Sequence, residues 1–175
     1  LPLQHVYAFD LKEDLAAKFA TELSQELGMA IEVAQDLPAA LRKSDVCVTC
    51  TPAKKYFIHK EHVRPGTFLA GVGADNEDKQ ELDPQLLASS KVVADILDQC
   101  IEIGDLHHAI AEGRMRRSDV HAELGEIVAG KKPGRTSADE ITVFDSTGTA
   151  LQDVAAAAVV YERAMKLGRG TRFHF

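Results

Sequence analysis

The stretch GVGADNEDKQEL, residues 71–82, gathers two glycines, a carboxylate and an ammonium directly after a hydrophobic run. A carboxylate such as Asp75 at the end of a strand can move a proton to or from a reacting amine or water. An ammonium such as Lys79, four positions on, can adjust how readily it does so. Gly71 and Gly73 let the backbone approach a ligand closely or turn sharply. The plainer reading of DNED is a solvent-exposed acidic turn. A second such stretch is FDSTGTALQD, where Asp145, Ser146, Thr147 and Gly148 join a strand to a helix, so that unpaired N–H groups and hydroxyls converge at a positive helix end. There Ser146 or Thr147 as a simple helix cap is the alternative. TCTP offers Thr49, Thr51 and Pro52 at a third strand end. At the end of HVYAFD, Asp10 is placed to accept hydrogen bonds from the hydroxyls of an adenosine ribose, and its charge would repel the extra phosphate of NADP, which favours NAD. Asp10 could instead serve only to start the helix that follows.

Positioning these groups requires elements that end where they stand. Strand-like runs occur at 5–9, 30–34, 45–50, 67–72, 91–95 and 140–145, and those at 45–50 and 67–72 lack polar alternation, as expected of strands covered on both faces. Between them, 13–28 repeats Leu15, Phe19, Leu23 and Leu27 as a helical stripe closed by Gly28. Short helices are read at 36–44 and in DPQLLASS. IEIGDLHHAIAEG and AELGEIVAG also read as helical, and 150–168 as a long, largely buried helix ending in Gly168. This rhythm predicts a Rossmann-type, doubly wound α/β fold with a mainly parallel sheet and helices on both faces. Ligands of such folds sit at the carboxyl ends of the strands. Asp10, TCTPA, GVGADNEDK, DILDQ and DSTG all stand there.

Composition removes several classes of partner. With 27 acidic against 20 basic residues and a net charge of −7, the chain lacks the concentrated positive charge that nucleic acid or an anionic membrane surface demands. No apolar stretch approaches the ~20 residues of a membrane span. Three cysteines suit a reducing compartment and a cytoplasmic location. Cys47 and Cys50 have redox-motif spacing but lie in DVCVTCTP, which reads as a strand carrying two core cysteines rather than a thiol at a helix start. His59 and His62 stand three apart with no third ligand in view, so no metal site is expected. The opening LPLQ has neither an initiator Met nor a charged leader, and reads as a cut through a longer protein.

From about residue 45 to the end, GVGADNEDKQELD, VVADILDQCIEIGDL, HAELGEIVAGKKPGR and DEITVFDSTGTALQDVAAAAVVYERA, in that order, resemble the ornithine cyclodeaminase/mu-crystallin family, which includes archaeal-type alanine dehydrogenases and imine reductases. ELGEIVAG together with FDSTG-x-A-x-QD is the specific part of the match. The resemblance implies a homodimeric, NAD(P)-dependent enzyme acting on a small amino acid or cyclic imine, with Asp75 as catalytic acid/base. It further implies that Lys79 and Ser146 neighbour the cofactor and that Asp10 is the ribose-binding acid. NADP-preferring relatives carry a neutral residue followed by Arg at that point, and Leu11 is not Arg, which again supports NAD. The cofactor-facing set is thus Asp10, Thr49, Thr51, Pro52, Val72, Gly73, Lys79, Ser146, Thr147 and Gly148. Residues 1–175 are expected to form the cofactor domain, with about 150–175 returning toward a substrate and dimerisation domain. The family's glycine-rich turn, the strand before it and its substrate-binding Arg and Lys would lie upstream of Leu1. That strand would sit between 5–9 and 45–50, so its loss should leave two edges unpaired and the chain alone inactive. The alternatives are a reductase of cyclic imines and a non-catalytic, mu-crystallin-like binder of small molecules.

Overall fold

Every strand pairing in the computed structural model, which describes residues 2–173, is parallel. Leu1, His174 and Phe175, the ends of the expected domain, lie outside the described residues. The chain begins with β1 (Val6–Ala8), α1 (Glu13–Leu27) and β2 (Ile31–Val33), in which β1 and β2 form a two-stranded sheet of their own. α1 ends where Gly28 adopts a left-handed φ of 64°, a conformation glycine enters without steric cost.

α2 (Leu37–Lys43) is started by Asp36, whose side chain accepts the Ala39 amide, and by Pro38 in its first turn. Then come β3 (Val46–Thr49), β4 (Lys54–Ile58), β5 (Phe68–Gly71), β6 (Gln80–Leu82), α3 (Pro84–Ala88) and β7 (Lys91–Ala94). The chain continues through α4 (Leu97–Ile103), α5 (Asp105–Ala111), β8 (Ala122–Glu123), α6 (Leu124–Val128), β9 (Thr142–Asp145) and α7 (Ala150–Lys166). β3, β5, β9, β7 and β8 form the main sheet in that order, and β4 pairs with β6. Parallel neighbours need a crossover, and the intervening helices supply most of them, which makes the doubly wound α/β architecture.

The core lies around this main sheet. Ile58, Leu69, Leu82, Leu86, Leu87, Val92, Leu106 and Val143 are all fully buried. Several sequence expectations change in the structure. The segment 101–113 is not one helix: it breaks at Gly104, because the Asp105 and Leu106 amides turn to the Asp145 carboxylate. β4 was not foreseen; its Ile58 pairs with Leu82 of β6. α7, expected to be largely buried, has no buried residue, and Leu151, Val154, Val160 and Tyr161 are exposed along it. The stripe on α1 is likewise only partly covered, with Leu15, Phe19 and Leu27 exposed. Among the described residues no strand lies between β1 and β3, so the two sheets stay separate.

Candidate active site

Register alone assembles the site. Thr49 of β3 pairs with Gly71 of β5, Gly71 with Asp145 of β9, and Asp145 with Ala94 of β7. One row therefore crosses the carboxyl edge of the sheet, and the loops holding Thr51–Pro52, Val72–Gly73, Ser146–Gly148 and Asp95 all leave from it. The polar strand ends read from sequence are thus brought together, apart from Asp10, which follows β1 on the separate sheet.

Asp75 and Lys79 face each other, with Lys79 Nζ 2.7 Å from Asp75 Oδ1. The lysine side chain is largely sheltered, while Asp75, Asn76, Glu77 and Asp78 are all exposed, so the stretch is the solvent-exposed acidic turn of the plainer reading, with Asp75 ion-paired to Lys79. The turn is held by the Asn76 side chain, which accepts the Asp78 amide, and by the Lys79 amide on the Asn76 carbonyl. His108 of α5 binds the Lys79 carbonyl through Nε2 at 2.8 Å, a support that the sequence did not reveal.

Beneath this turn lies a ladder of buried carboxylates. Asp145 accepts the amides of Asp105 and Leu106 at the start of α5. Asp105 Oδ1 in turn accepts the amides of Glu81 (2.7 Å) and Leu82 (2.9 Å). Glu81 accepts the Thr49 hydroxyl (2.7 Å), the Thr51 amide (2.6 Å) and the Gly73 amide (2.9 Å). All three acids have no solvent exposure. Burial pushes Asp105 up to about 7, against the opposing pull of the Leu82 and Glu81 amides, and burial with the neighbouring Asp105 charge raises Asp145 well above the usual carboxylate range. The remaining oxygen of Asp105, Oδ2, is buried with no hydrogen-bond partner among the described residues.

The glycines serve this ladder. Neither Gly71 nor Gly73 has a positive φ. A Cβ on Gly73 would stand 2.5 Å from the Glu81 carboxyl carbon and 2.5 Å from the Thr51 carbonyl oxygen, so the glycine makes room for Glu81 and the Thr51 carbonyl. The Ser146 loop is also differently used. Asp95 Oδ2 accepts the Ser146 hydroxyl (2.7 Å) and the amides of Thr147 and Gly148 (both 3.1 Å), so the N–H groups expected to be free are engaged. Thr149 stands at the N-cap of α7 with no side-chain cap, which also sets aside Ser146 and Thr147 as its caps. The Thr147 hydroxyl remains buried and unpartnered among the described residues. Asp10 Oδ1 accepts the Lys12 amide at 2.7 Å, so it does help to start α1, and Oδ2 is left on an exposed side chain.

Glu81 and Asp105 are the residues that sequence reasoning missed, while Asp95 opens DILDQ, one of the strand ends read from sequence, though its hold on the Ser146 loop was not foreseen. Glu81 and Asp105 are acids inside apolar runs (QEL, IGDL), and that incongruity was the available signal. Of the cysteines, Cys47 is partly buried and its thiol is pushed up to about 11, mainly by burial, but Cys50 is exposed and not the core residue expected. His59 does gain neighbours: β4 and β6 in register bring Asp83 beside it, and Glu61 completes a group whose ligand atoms lie within 4.8 Å of one another. His62 stays outside that group, its Nδ1 accepting the His59 amide. No helix among the described residues is long and apolar enough to cross a membrane.

A parallel, doubly wound sheet whose polar loops converge on its carboxyl edge is the architecture of dinucleotide-binding domains. Residues 1–168 match the family model of the ornithine cyclodeaminase/mu-crystallin family, and the chain belongs to that family. It is 42% identical over 170 residues, 97% of its length, to the alanine dehydrogenase of Archaeoglobus fulgidus, of which it covers 52%. A solved archaeal alanine dehydrogenase dimer with bound NAD superposes with a TM-score of 0.91 at 42% identity, covering all of this chain and 54% of that one. The Δ1-pyrroline-2-carboxylate reductase of Thermococcus litoralis, solved with NADH and L-proline, also gives 0.91, at 34% identity, over 97% of this chain and 53% of that one. The chain spans about half the length of the curated relatives it matches.

Proposed function

We propose that the protein carrying this chain is an NAD-dependent enzyme that oxidises or cyclises a small L-amino acid through an imine, with Asp75 as its acid/base. The observation that carries this reading is Asp75 itself, ion-paired at 2.7 Å on a loop leaving the strand-end row. Residues 1–175 form the cofactor domain. The exposed apolar residues of α7 support the reading that about 150–175 returns to a substrate and dimerisation domain. The relative solved as a dimer supports a homodimer, and the three free cysteines suit a cytoplasmic enzyme.

The chain's own groups fit a dinucleotide. Asp10 keeps an exposed oxygen for the ribose hydroxyls and sets NAD above NADP, while the Thr147 hydroxyl, without a partner among the described residues, offers a donor beside the strand ends. Thr49, Thr51 and Pro52 form one wall, Val72, Gly73 and Lys79 a second, and Ser146–Gly148 a third. When bound, NAD supplies the hydride acceptor. Asp75 takes the proton from the substrate amine and, in a dehydrogenase, positions the water that hydrolyses the imine to oxo acid and ammonia. Lys79 holds that carboxylate in place. In a cyclodeaminase the substrate's distal amine would attack instead, ammonia would leave, and the bound cofactor would supply the hydride that reduces the resulting cyclic imine.

The similarity to a pyrroline-2-carboxylate reductase favours a second reading, the same hydride step run toward a cyclic amino acid. One assay separates these readings: NAD with L-alanine or L-ornithine, following NADH absorbance and ammonia together. Equal rises mean net oxidation, and ammonia without accumulating NADH means cyclodeamination. Oxidation of NADH by pyrroline-2-carboxylate with neither of those activities means a reductase. If the protein binds NADH but shows none of the three reactions, a mu-crystallin-like binder is left.

A further inference from the structure

The geometry points to Glu81 as a positioning residue of the active site, the clamp that closes the base of the Asp75 loop and ties it to the Thr49–Thr51 wall; this rests on the function proposed above. Glu81 sits in β6 between Gln80 and Leu82, all three buried. An apolar side chain would fill such a strand without cost, whereas a carboxyl group removed from water is costly unless its oxygens are engaged. Its three donors lie at two points of the carboxyl edge. The Thr49 hydroxyl at the end of β3 and the Thr51 amide on the loop after it form one, and the Gly73 amide on the loop after β5 the other.

The Gly73 bond joins the start of the 73–81 loop to its end, and Asp75 and Lys79 lie inside the ring so formed. The other end is fixed as well, because Asp105 holds the Glu81 amide at 2.7 Å. At Gly73 there is no room to yield, since even a Cβ would stand 2.5 Å from the Glu81 carboxyl carbon. Glu81 does not itself reach the loop surface. It acts through the two walls, setting the separation between the Thr49–Pro52 segment and the carboxylate of Asp75.

The test uses Glu81→Gln, Thr49→Val and the double variant in the full-length enzyme, with NADH affinity read by fluorescence titration at 25 °C, kcat by amino-acid oxidation or imine reduction, and melting by calorimetry. Glu81→Gln keeps the size of the side chain but gives up one acceptor oxygen. The expected result is NADH affinity and kcat each reduced about tenfold, the scale of one charge-assisted hydrogen bond. Thr49→Val removes a single donor and should lower both in the same direction by about threefold, with the double variant no weaker than Glu81→Gln alone. Wild-type affinity and kcat accompanied only by a lower melting temperature would overturn the inference, leaving Glu81 a fold residue. If Glu81→Gln does not fold, Thr49→Val decides by the same criteria. Wild-type protein that binds no NADH overturns the proposed function and the clamp with it. Binding without turnover of any amino acid or imine overturns the substrate reading alone, and the affinity measurements still decide the clamp.

Discussion

The β1–α1–β2 unit and the five-stranded sheet carry the same kind of sequence and bury it to very different degrees. Leu69, Val92 and Val143 of the main sheet have no solvent exposure, while Phe19 in the apolar stripe of α1 keeps 51% and Leu11 before it 95%. Only Ala8, Ala16 and Ala20 are buried in the first unit, and a hollow lined by Ala17, Ala20, Ser24, Ile31 and Val33 remains between α1 and β2. The difference teaches that an amphipathic stripe states what a helix has to bury, not whether anything in the same chain buries it. Two strands and one helix cannot close a core, and five strands layered with helices can.

The largest expected effect tests that contrast directly. Leu69→Ala should cost about 2–5 kcal/mol in chemical denaturation and Phe19→Ala less than ~1 kcal/mol. A loss at Phe19 matching that at Leu69 would show that the stripe is covered in the assembled protein. Glycines should separate the regions next. Gly104→Ala would place a Cβ 2.6 Å from an Asp145 oxygen and should cost about 1–3 kcal/mol through overpacking. At Gly28 nothing lies within 4 Å, and its cost of about 1 kcal/mol comes from the left-handed backbone alone. The two should therefore respond differently to Asn, which tolerates φ 64° at Gly28 and only worsens the clash at Gly104.

Acidity sharpens the comparison further, because the main sheet holds the shifted carboxyls. Asp105 keeps its proton to about pH 7 in the folded chain and loses it near 3.8 when unfolded. The folded state thus binds more protons between these values, and Asp105 alone should make stability fall as pH rises from about 4 through about 7, with a slope approaching ~1.4 kcal/mol per pH unit, to which Asp145, raised in the same direction, adds. Asp105→Asn, which keeps an acceptor for the Glu81 and Leu82 amides, should flatten that slope in denaturation curves taken across the window. Glu140 has the opposite sign: hydrogen bonds from Lys91 and then Thr136 hold it down to about 2. Its contribution should be complete above 4.5 and disappear as pH falls through about 2, and Glu140→Gln should remove that acid-side dependence. The smallest change in stability belongs to the first unit. Asp10→Ala should shift unfolding by no more than ~0.5 kcal/mol while weakening NADH binding, a separation that titration of one folded variant can read.

Much of the site is legible in the residues alone. Asp75, Lys79, Thr49 and Ser146 stand at strand ends because apolar runs stop there, and a parallel sheet sends all such ends to one edge. What local sequence does not reveal is which groups those loops bind. Gly73 reads as room for a close approach, and the structure sets Glu81, eight residues on, against it; the amides of Thr147 and Gly148 read as free and belong to Asp95. Asp95 comes from a distant part of the chain, and Glu81 meets Gly73 only through the turn between them, so neither pairing leaves a local periodicity.

By itself, then, the sequence determined six of the strands, most of the helices and their order, because hydrophobic period, helix caps and glycine stops act over a few residues, while β4, β6 and β8 were not read from it. It also pointed to the family, through motifs that run from about residue 45 to the end. Tertiary structure alone decided that Glu81, Asp105 and Asp145 form one buried ladder, that the helix through 101–113 breaks at Gly104 to meet it, and that α1 and α7 leave apolar residues uncovered by the rest of this chain. Those outcomes depend on what lies opposite each residue once strands are in register, and burial and hydrogen bonding are settled between partners rather than along the chain.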